Sequence, residues 1–568
     1  MSIAPTLPAP SFGREPVTEQ GMERMTTAAA VARSLAAHGI NTVYGVPGVH
    51  NDHLFDALYG ARDHMRVLHA RHEQAGAYMA LGAALATGRP QAYAAVPGPG
   101  ILNTGAALLT AWGMGAPVLA LAGQIPAHAI DRGYGHLHEI PDQLGLLRHL
   151  TKHAARITGP HEASAQVARA IHLALSGRRR PVALECAMDV WGQSGPAPLV
   201  DPILPATPPV DPDAVERAAR ILGAAQRPLI VVGGGAEDAA GELRLVAEML
   251  EAPVVSYRRG RGILPTDHRL AVSYPVGRRL WAGADAVLAV GTRLYTQQAG
   301  WGTDDALQIV RLDIDPEEPG RFQPPACAIV ADAAAGLSAL LDRLPAHGPV
   351  RPPREDELAG HRAWLAERLG RLEPQMGFLR AMRAALPPDG ILVDEVTQMG
   401  FAARIAFPVP GPRQFFSGYQ DNLGYGYGTA LGAKAACPGR AVLSIAGDGG
   451  FAYQAMELAT AALHNLAVVV VVFDDGAFGN VRRIKREAYG DRQIASGLHN
   501  PDFVRFAESF GVAAFRAHDA AELEARLREA FALNAPALVH VPVGEMPSIW
   551  DLIIMPPVRG KPARPAMP

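Results

Sequence analysis

Two aspartates stand where a metal ion could be held. Asp448 lies in Gly447-Asp448-Gly449-Gly450, where the apolar run that begins at Ala441 ends; Asp475 lies in Asp474-Asp475-Gly476, after a valine-dense run over residues 466–473. Two carboxylates beside glycine-exposed backbone suit a hard cation with oxygen ligands. Mg²⁺ takes about six oxygens, keeps some water and usually sits on a phosphate. Upstream, Asp394-Glu395-Val396-Thr397-Gln398 ends another apolar run and starts a helix, so Thr397 and the first free N–H groups could bind diphosphate oxygens. Far away in the chain, Glu73 opens a helix of small apolar residues. Partial desolvation there raises a carboxyl's pKa and favours its proton-donating form. Taken alone, a first-turn glutamate equally satisfies a helix dipole.

The elements that must position these groups follow from the hydrophobic pattern. The runs at 441–447 and 466–473 are apolar at nearly every position, with a helix-length segment from Phe451 to about His464 between them. That is a βαβ unit of a parallel sheet buried on both faces. It places Asp448 and Asp475 side by side at the carboxyl edge, where open α/β sheets bind ligands. Residues 1–22, proline-rich, read as a disordered leader. Strands and helices then alternate over 23–193, 213–345 and 357–545, separated by proline-rich stretches at 194–212 and 346–356. The expected fold is α/β, with three doubly wound parallel-sheet domains. The first and third could be distant copies of one fold. Residues 546–568 form an apolar tail, expected to cover a substrate pocket with Trp550 in its lining.

The chain has 568 residues, 49% hydrophobic and 19% charged, with a net charge of −3. That balance offers no basic field for nucleic acid. Cys186, Cys327 and Cys437 are scattered without metal-ligand or disulfide spacing. No apolar run approaches the ~20 residues of a membrane span, and no signal-peptide core opens the chain. A soluble, cytoplasmic protein without membrane partners is the expectation.

The GDG motif and the acidic residue before a glycine one βα unit later resemble the thiamin diphosphate (ThDP) enzymes. The segment RHEQAGAYMALGAALATGRP followed by VPGPGILN resembles the pyrimidine-binding domain of that family, and DNLGYGYGTALG resembles the segment beneath the thiazolium ring. The resemblance implies Mg²⁺ held by Asp448, Asp475 and the Ala477 carbonyl, where the family usually carries asparagine in place of Asp475. It implies that Glu73 hydrogen-bonds the aminopyrimidine, so that the imino tautomer takes the proton from C2. It implies that Leu423 forces the bent cofactor. Pro47, Asn103, Thr397, Gln398, Asp421, Gly447, Gly449, Gly450, Phe478 and Gly479 complete the implied cofactor site. Glu73 and Asp448 would meet across a subunit interface in a homodimer or homotetramer.

Within the family, Gly45-Val46-Pro47-Gly48-Val49-His50 and Pro141-Asp142-Gln143 resemble benzaldehyde lyase, which implies that His50 and Gln143 relay protons to a substrate oxygen. The central segment, with GRGILPTDH and Leu312-Asp313-Ile314-Asp315, resembles acetolactate synthase, whose relatives hold FAD, ADP or nothing there. His138 is a further candidate beside the site. The reading is a carboligase or lyase that makes or breaks a C–C bond next to a carbonyl, on 2-oxo acids or 2-hydroxy ketones. A 2-oxo acid decarboxylase is the alternative within the family. A nicotinamide or flavin oxidoreductase, or a non-catalytic subunit of the same fold, are the alternatives outside it; Gly233-Gly234-Gly235 lacks the full dinucleotide fingerprint.

Overall fold

The computed structural model describes residues 23–560 apart from 206, 349 and 350; the expected leader and the last eight residues lie outside the described part. The first domain carries β1 (Arg24–Thr26), β2 (Thr42–Gly45), β3 (Arg66–His69), β4 (Gln91–Ala95), β5 (Val118–Gln124), β6 (Ala154–Ile157), β7 (Val182–Ala187) and β8 (Ser194–Pro196). β2 to β7 form one parallel sheet in the order 3-2-4-5-7-6, and β1 pairs antiparallel with β8 beside it. The central domain holds β9 (Pro228–Val232), β10 (Val254–Ser256), β11 (Ala271–Ser273), β12 (Ala286–Val290), β13 (Gln308–Asp313) and β14 (Cys327–Val330) in the order 11-10-9-12-13-14. The third holds β15 (Ile391–Val393), β16 (Phe415–Phe416), β17 (Val442–Gly447), β18 (Val468–Asp474), β19 (Ala513–Arg516) and β20 (Ala537–Pro542) in the order 16-15-17-18-20-19.

Counted from each domain's first sheet strand, the first and third domains share one strand order, 2-1-3-4-6-5. The central domain has the dinucleotide-fold order 3-2-1-4-5-6. In all three the order reverses beside the first sheet strand, opening a crevice at the carboxyl edge between β2 and β4, β9 and β12, and β15 and β17. The central strands are buried along their whole length, β4, β5, β9 and β12 at every residue, which is why their sequences are runs rather than alternations.

The first and third domains share a core. The helix Glu73–Thr87, buried from Ala75 to Ala86, lies against the helix Gly426–Ala436. A Cβ on Gly82 would overlap the Thr429 carbonyl, and one on Gly432 would overlap that of Met79; the glycines let the two backbones touch. Two expectations need correction. The segment after β17 is not one helix from Phe451. It is a short helix Asp448–Ala452, a 3₁₀ turn Ala455–Glu457 and a second helix Leu458–Leu463. And the tail does not stay over one pocket. After the helix Trp550–Ile553 it crosses to the central domain, where Val558 N donates to Trp301 O at 2.9 Å and Arg559 donates to Trp281 O at 2.7 Å.

Candidate active site

β17 and β18 pair in register from Val442 with Val468 to Gly447 with Phe473, so Asp448 and the Asp474-Asp475 pair leave the sheet edge as neighbours. The structure sorts the two adjacent acids. Asp474 is spent on structure: it accepts from Asn500 Nδ2 at 2.8 Å and from Gly476 N, and pairs with His540 Nε2 at 3.0 Å. Among the described residues Asp475 accepts one hydrogen bond, from the Ala477 N–H at 3.2 Å. Asp448 accepts from Asn500 Nδ2 at 2.6 Å. Burial pushes the Asp448 carboxyl up to about 6; the Asp475 charge adds to this and the Asn500 hydrogen bond opposes it. Burial raises Asp475 as well. Two acids that resist ionising together are short of positive charge, which a divalent cation supplies. Among the described residues no three His, Cys, Asp or Glu side chains form a metal cluster. A cation here would therefore draw on the two carboxylates, on backbone oxygen such as that of buried Ala477, and on its ligand.

The cradle around these acids is made of glycine. A side chain on Gly449 would strike Phe478, one on Gly450 would strike Glu395, and one on Gly479 would strike Asp475. Gly447 lies against Thr397, the N-cap of the helix Gln398–Ala406, whose Oγ1 accepts from Gly400 N at 2.8 Å. Gln398 Oε1 is buried without a protein partner. A helix N-terminus and glycine backbone uncovered by side chains fit an anionic group, and the unspent Gln398 oxygen fits the cation that bridges it rather than the anion itself. Leu423 is half-buried and precedes Gly424, which takes φ 79° and donates its N–H to Glu395. Asp421, expected to touch the cofactor, has both carboxylate oxygens on arginines: Arg258 at 2.7 Å and Arg404 at 2.9 Å. Its side chain braces the turn.

In the first domain Glu73 begins its helix half-buried, and Asn103 Nδ2 donates to its Oε2 at 3.0 Å. The turn before it is held by the third domain, because Glu457 accepts the N–H groups of Arg71 and His72, both at 3.1 Å. Among the described residues no hydrogen bond or ion pair links Glu73 to Asp448 or Asp475. Pro47 is exposed in the turn after β2. His50 is buried. Its Nε2 lies 3.1 Å from Leu137 O, and its ring stacks on His138 with centroids 4.9 Å apart. A carbonyl can only accept, so Nε2 carries the hydrogen and Nδ1, which has no hydrogen-bond partner among the described residues, is the free base. Burial, reinforced by His138, lowers the His50 pKa. Gln143 has no such freedom: its Oε1 accepts Gly98 N, and its Nε2 donates to Gly123 O and Glu185 Oε2. The amide holds the Gly98 turn, and a relay of protons through it has no open atom.

Sequence reading missed Glu395, Glu457, Asn500 and Glu185. Each is a buried or half-buried polar group serving a distant segment. Glu395 alone carried a signal, as the acid that ends β15.

Three matches with known families bear on this arrangement. Residues 25–146 match the thiamine pyrophosphate enzyme N-terminal TPP binding domain, 215–340 the central domain, and 395–541 the C-terminal TPP binding domain. The chain belongs to the thiamine pyrophosphate enzyme family, and is an enzyme that makes or breaks a C–C bond next to a carbonyl. It is 33% identical over 541 residues to a probable 2-ketoarginine decarboxylase of Pseudomonas aeruginosa, covering 92% of this chain and 95% of that one. It is 33% identical over 561 residues to a probable acetolactate synthase large subunit of Methanocaldococcus jannaschii, covering 91% and 92%. To the acetolactate synthase isozyme 3 large subunit of Escherichia coli it is 30% identical over 541 residues, covering 90% and 92%.

Proposed function

We propose that the protein is a ThDP- and Mg²⁺-dependent carboligase acting on 2-oxo acids. The observation that carries this reading is the pairing of Asp448 and Asp475, two carboxylates without a salt bridge among the described residues, at the mouth of a glycine cradle, in a chain similar over about 91% of its length to an acetolactate synthase large subunit. Asp448, Asp475 and the Ala477 carbonyl would hold the cation. Gly447, Gly449, Gly450, Thr397 and Gln398 would hold the diphosphate. Leu423 would support the thiazolium ring, with Pro47, Phe478 and Gly479 around it. When bound there, ThDP would supply a nucleophilic carbon and an electron sink for breaking the C–C bond next to a carbonyl. Glu73, fixed by Asn103, holds a proton at the aminopyrimidine. His50 Nδ1 accepts or returns a proton at the substrate oxygen. The family resemblance supports a homodimer or homotetramer as the working unit, in which one copy's Glu73 serves another copy's Asp448.

A second reading, a 2-oxo acid decarboxylase, is supported by the similarity to a probable 2-ketoarginine decarboxylase. Both readings begin with CO₂ loss from a 2-oxo acid and part afterwards. They differ in the acceptor, a proton in one and a second carbonyl compound in the other. Product stoichiometry separates them. One CO₂ per two pyruvate molecules consumed marks ligation, and one CO₂ with one aldehyde per acid marks decarboxylation.

At the crevice of the central sheet lies a cavity of about 750 Å³ lined by Gly233–Gly235, Gly291, Arg179, Arg293 and Asp332. Its glycine backbone and arginines suit the phosphates of an adenine nucleotide such as FAD or ADP. The absorbance spectrum of ligand released from purified protein distinguishes the two.

A further inference from the structure

Arg258 is one of several residues that join the central domain to the third, beside Arg261 on the Arg404 and Phe407 carbonyls and Arg413 on Asp238. It follows β10 in a left-handed conformation (φ 48°), on the wall of the central cavity, and its guanidinium crosses into the third domain. There it donates to the carbonyls of Gly418 and Tyr419 and, through both terminal nitrogens, to Asp421: Nη1 to Oδ1 at 3.2 Å and Nη2 to Oδ2 at 2.7 Å. Asp421 is left-handed too, at φ 53°, a conformation that a non-glycine residue keeps only where its surroundings hold it. Its Oδ1 also meets Arg404, which is fully buried and anchored on buried Asp394 at 2.8 Å. Beyond it, Asn422 donates to Ala106 O and Thr110 Oγ1 of the first domain, and Gly424 to Glu395. Leu423 is thus the one residue of this turn whose side chain is left for a ligand, and its neighbours on both sides are tied down.

We propose that Arg258 is a positioning residue for the cofactor: by pairing with Asp421 it fixes the turn that carries Leu423, so that the central domain sets how firmly the third domain holds ThDP. This rests on the reading of Leu423 as the cofactor's support. Arginine suits the task, because a planar fork can hold one carboxylate with two bonds while a carbonyl shares the same nitrogen. A lysine would reach with a single nitrogen. Asp421 keeps Arg404 when Arg258 is removed, so no buried charge is left alone and the fold survives the change.

The test is a double-mutant cycle on ThDP affinity, measured calorimetrically at saturating Mg²⁺. Arg258→Ala and Asp421→Asn each raise Kd about tenfold, as loss of a charge-assisted hydrogen bond predicts, and the double variant binds no worse than about twofold beyond the weaker single. Arg258→Lys falls between wild type and Arg258→Ala, and serves if the alanine variant does not fold. Arg269→Ala removes a comparable bidentate pair with Glu251 that touches neither cavity nor turn, and leaves Kd within about twofold. The near-UV circular dichroism of bound cofactor changes in Arg258→Ala and not in Arg269→Ala. Single variants with wild-type Kd, or effects that multiply in the double, overturn the proposal. A wild type that binds no ThDP overturns the reading of the site as well, which is a distinct result.

Discussion

The carboxyl of Glu395 accepts the N–H of Gly424, tying the turn that carries Leu423 to the sheet edge from which Thr397 starts its helix. Glu395 is 1% exposed, and burial pushes its pKa up to about 8. A folded-state pKa above the unfolded value means that the folded protein binds more protons. The associated stability is fully present below the unfolded value and is lost as pH rises through 8. The ligand-free protein should therefore lose on the order of 2–4 kcal/mol between pH 5 and 9 through this group. Glu395→Gln, neutral and of the same shape, flattens that slope. Urea unfolding of both proteins across this range checks it, and parallel slopes would remove Glu395 as the cause.

Glu73→Gln is expected to lower turnover by about 10²–10⁴-fold with ThDP Kd little changed, because the glutamine keeps a hydrogen bond to the ring but has no proton to share. Asn103→Ala should give a smaller loss of the same kind, since it releases Glu73 without removing it. Steady-state rates beside calorimetric Kd values decide. Substantial activity in Glu73→Gln would return the residue to a helix-capping role.

His50→Ala should reduce kcat by about 10²-fold or more with cofactor affinity unchanged. The lowered pKa of His50 keeps its Nδ1 basic below the ordinary histidine range, so the acid limb of the wild-type kcat profile that belongs to His50 lies below about pH 6.5. The variant loses that limb. An unchanged profile would make the His50–His138 stack scaffold only.

Gly82→Val should destabilise the protein by about 1–3 kcal/mol or more, because the new side chain meets the Thr429 carbonyl across the two packed helices. Thermal unfolding reads this directly. A melting temperature equal to wild type would mean that the two helices part easily.

Much of this was legible in the sequence, and for a physical reason. Runs such as residues 466–473 are apolar at every position because their sheet is covered on both faces, and the acids and glycines that end them mark the sheet edge. Local pattern thus located Asp448, Asp475, Thr397 and Glu73. It could not place Glu457 under Arg71 and His72, Asn500 between Asp448 and Asp474, or Arg258 on Asp421. Those pairings join segments tens to hundreds of residues apart and leave no periodic trace. It also could not tell an engaged polar side chain from a free one. Gln143 and His50 looked alike as candidates, and only their hydrogen bonds show that one is saturated while the other keeps a free base. The segment after β17 reads as one continuous helix because its composition is uniform; Gln454, buried against Gly428, marks where it breaks.

The central claim is that Glu73 and the Asp448–Asp475 pair serve one cofactor in an attack on 2-oxo acids. The direct measurement is CO₂ released from pyruvate by protein reconstituted with ThDP and Mg²⁺, alongside Glu73→Gln and Asp448→Ala. The account predicts CO₂ from the wild type, little from Glu73→Gln although it holds ThDP, and none from Asp448→Ala, which does not. Wild-type protein that holds ThDP yet releases no CO₂ from pyruvate or from longer 2-oxo acids would contradict it, and would turn the search to 2-hydroxy ketones.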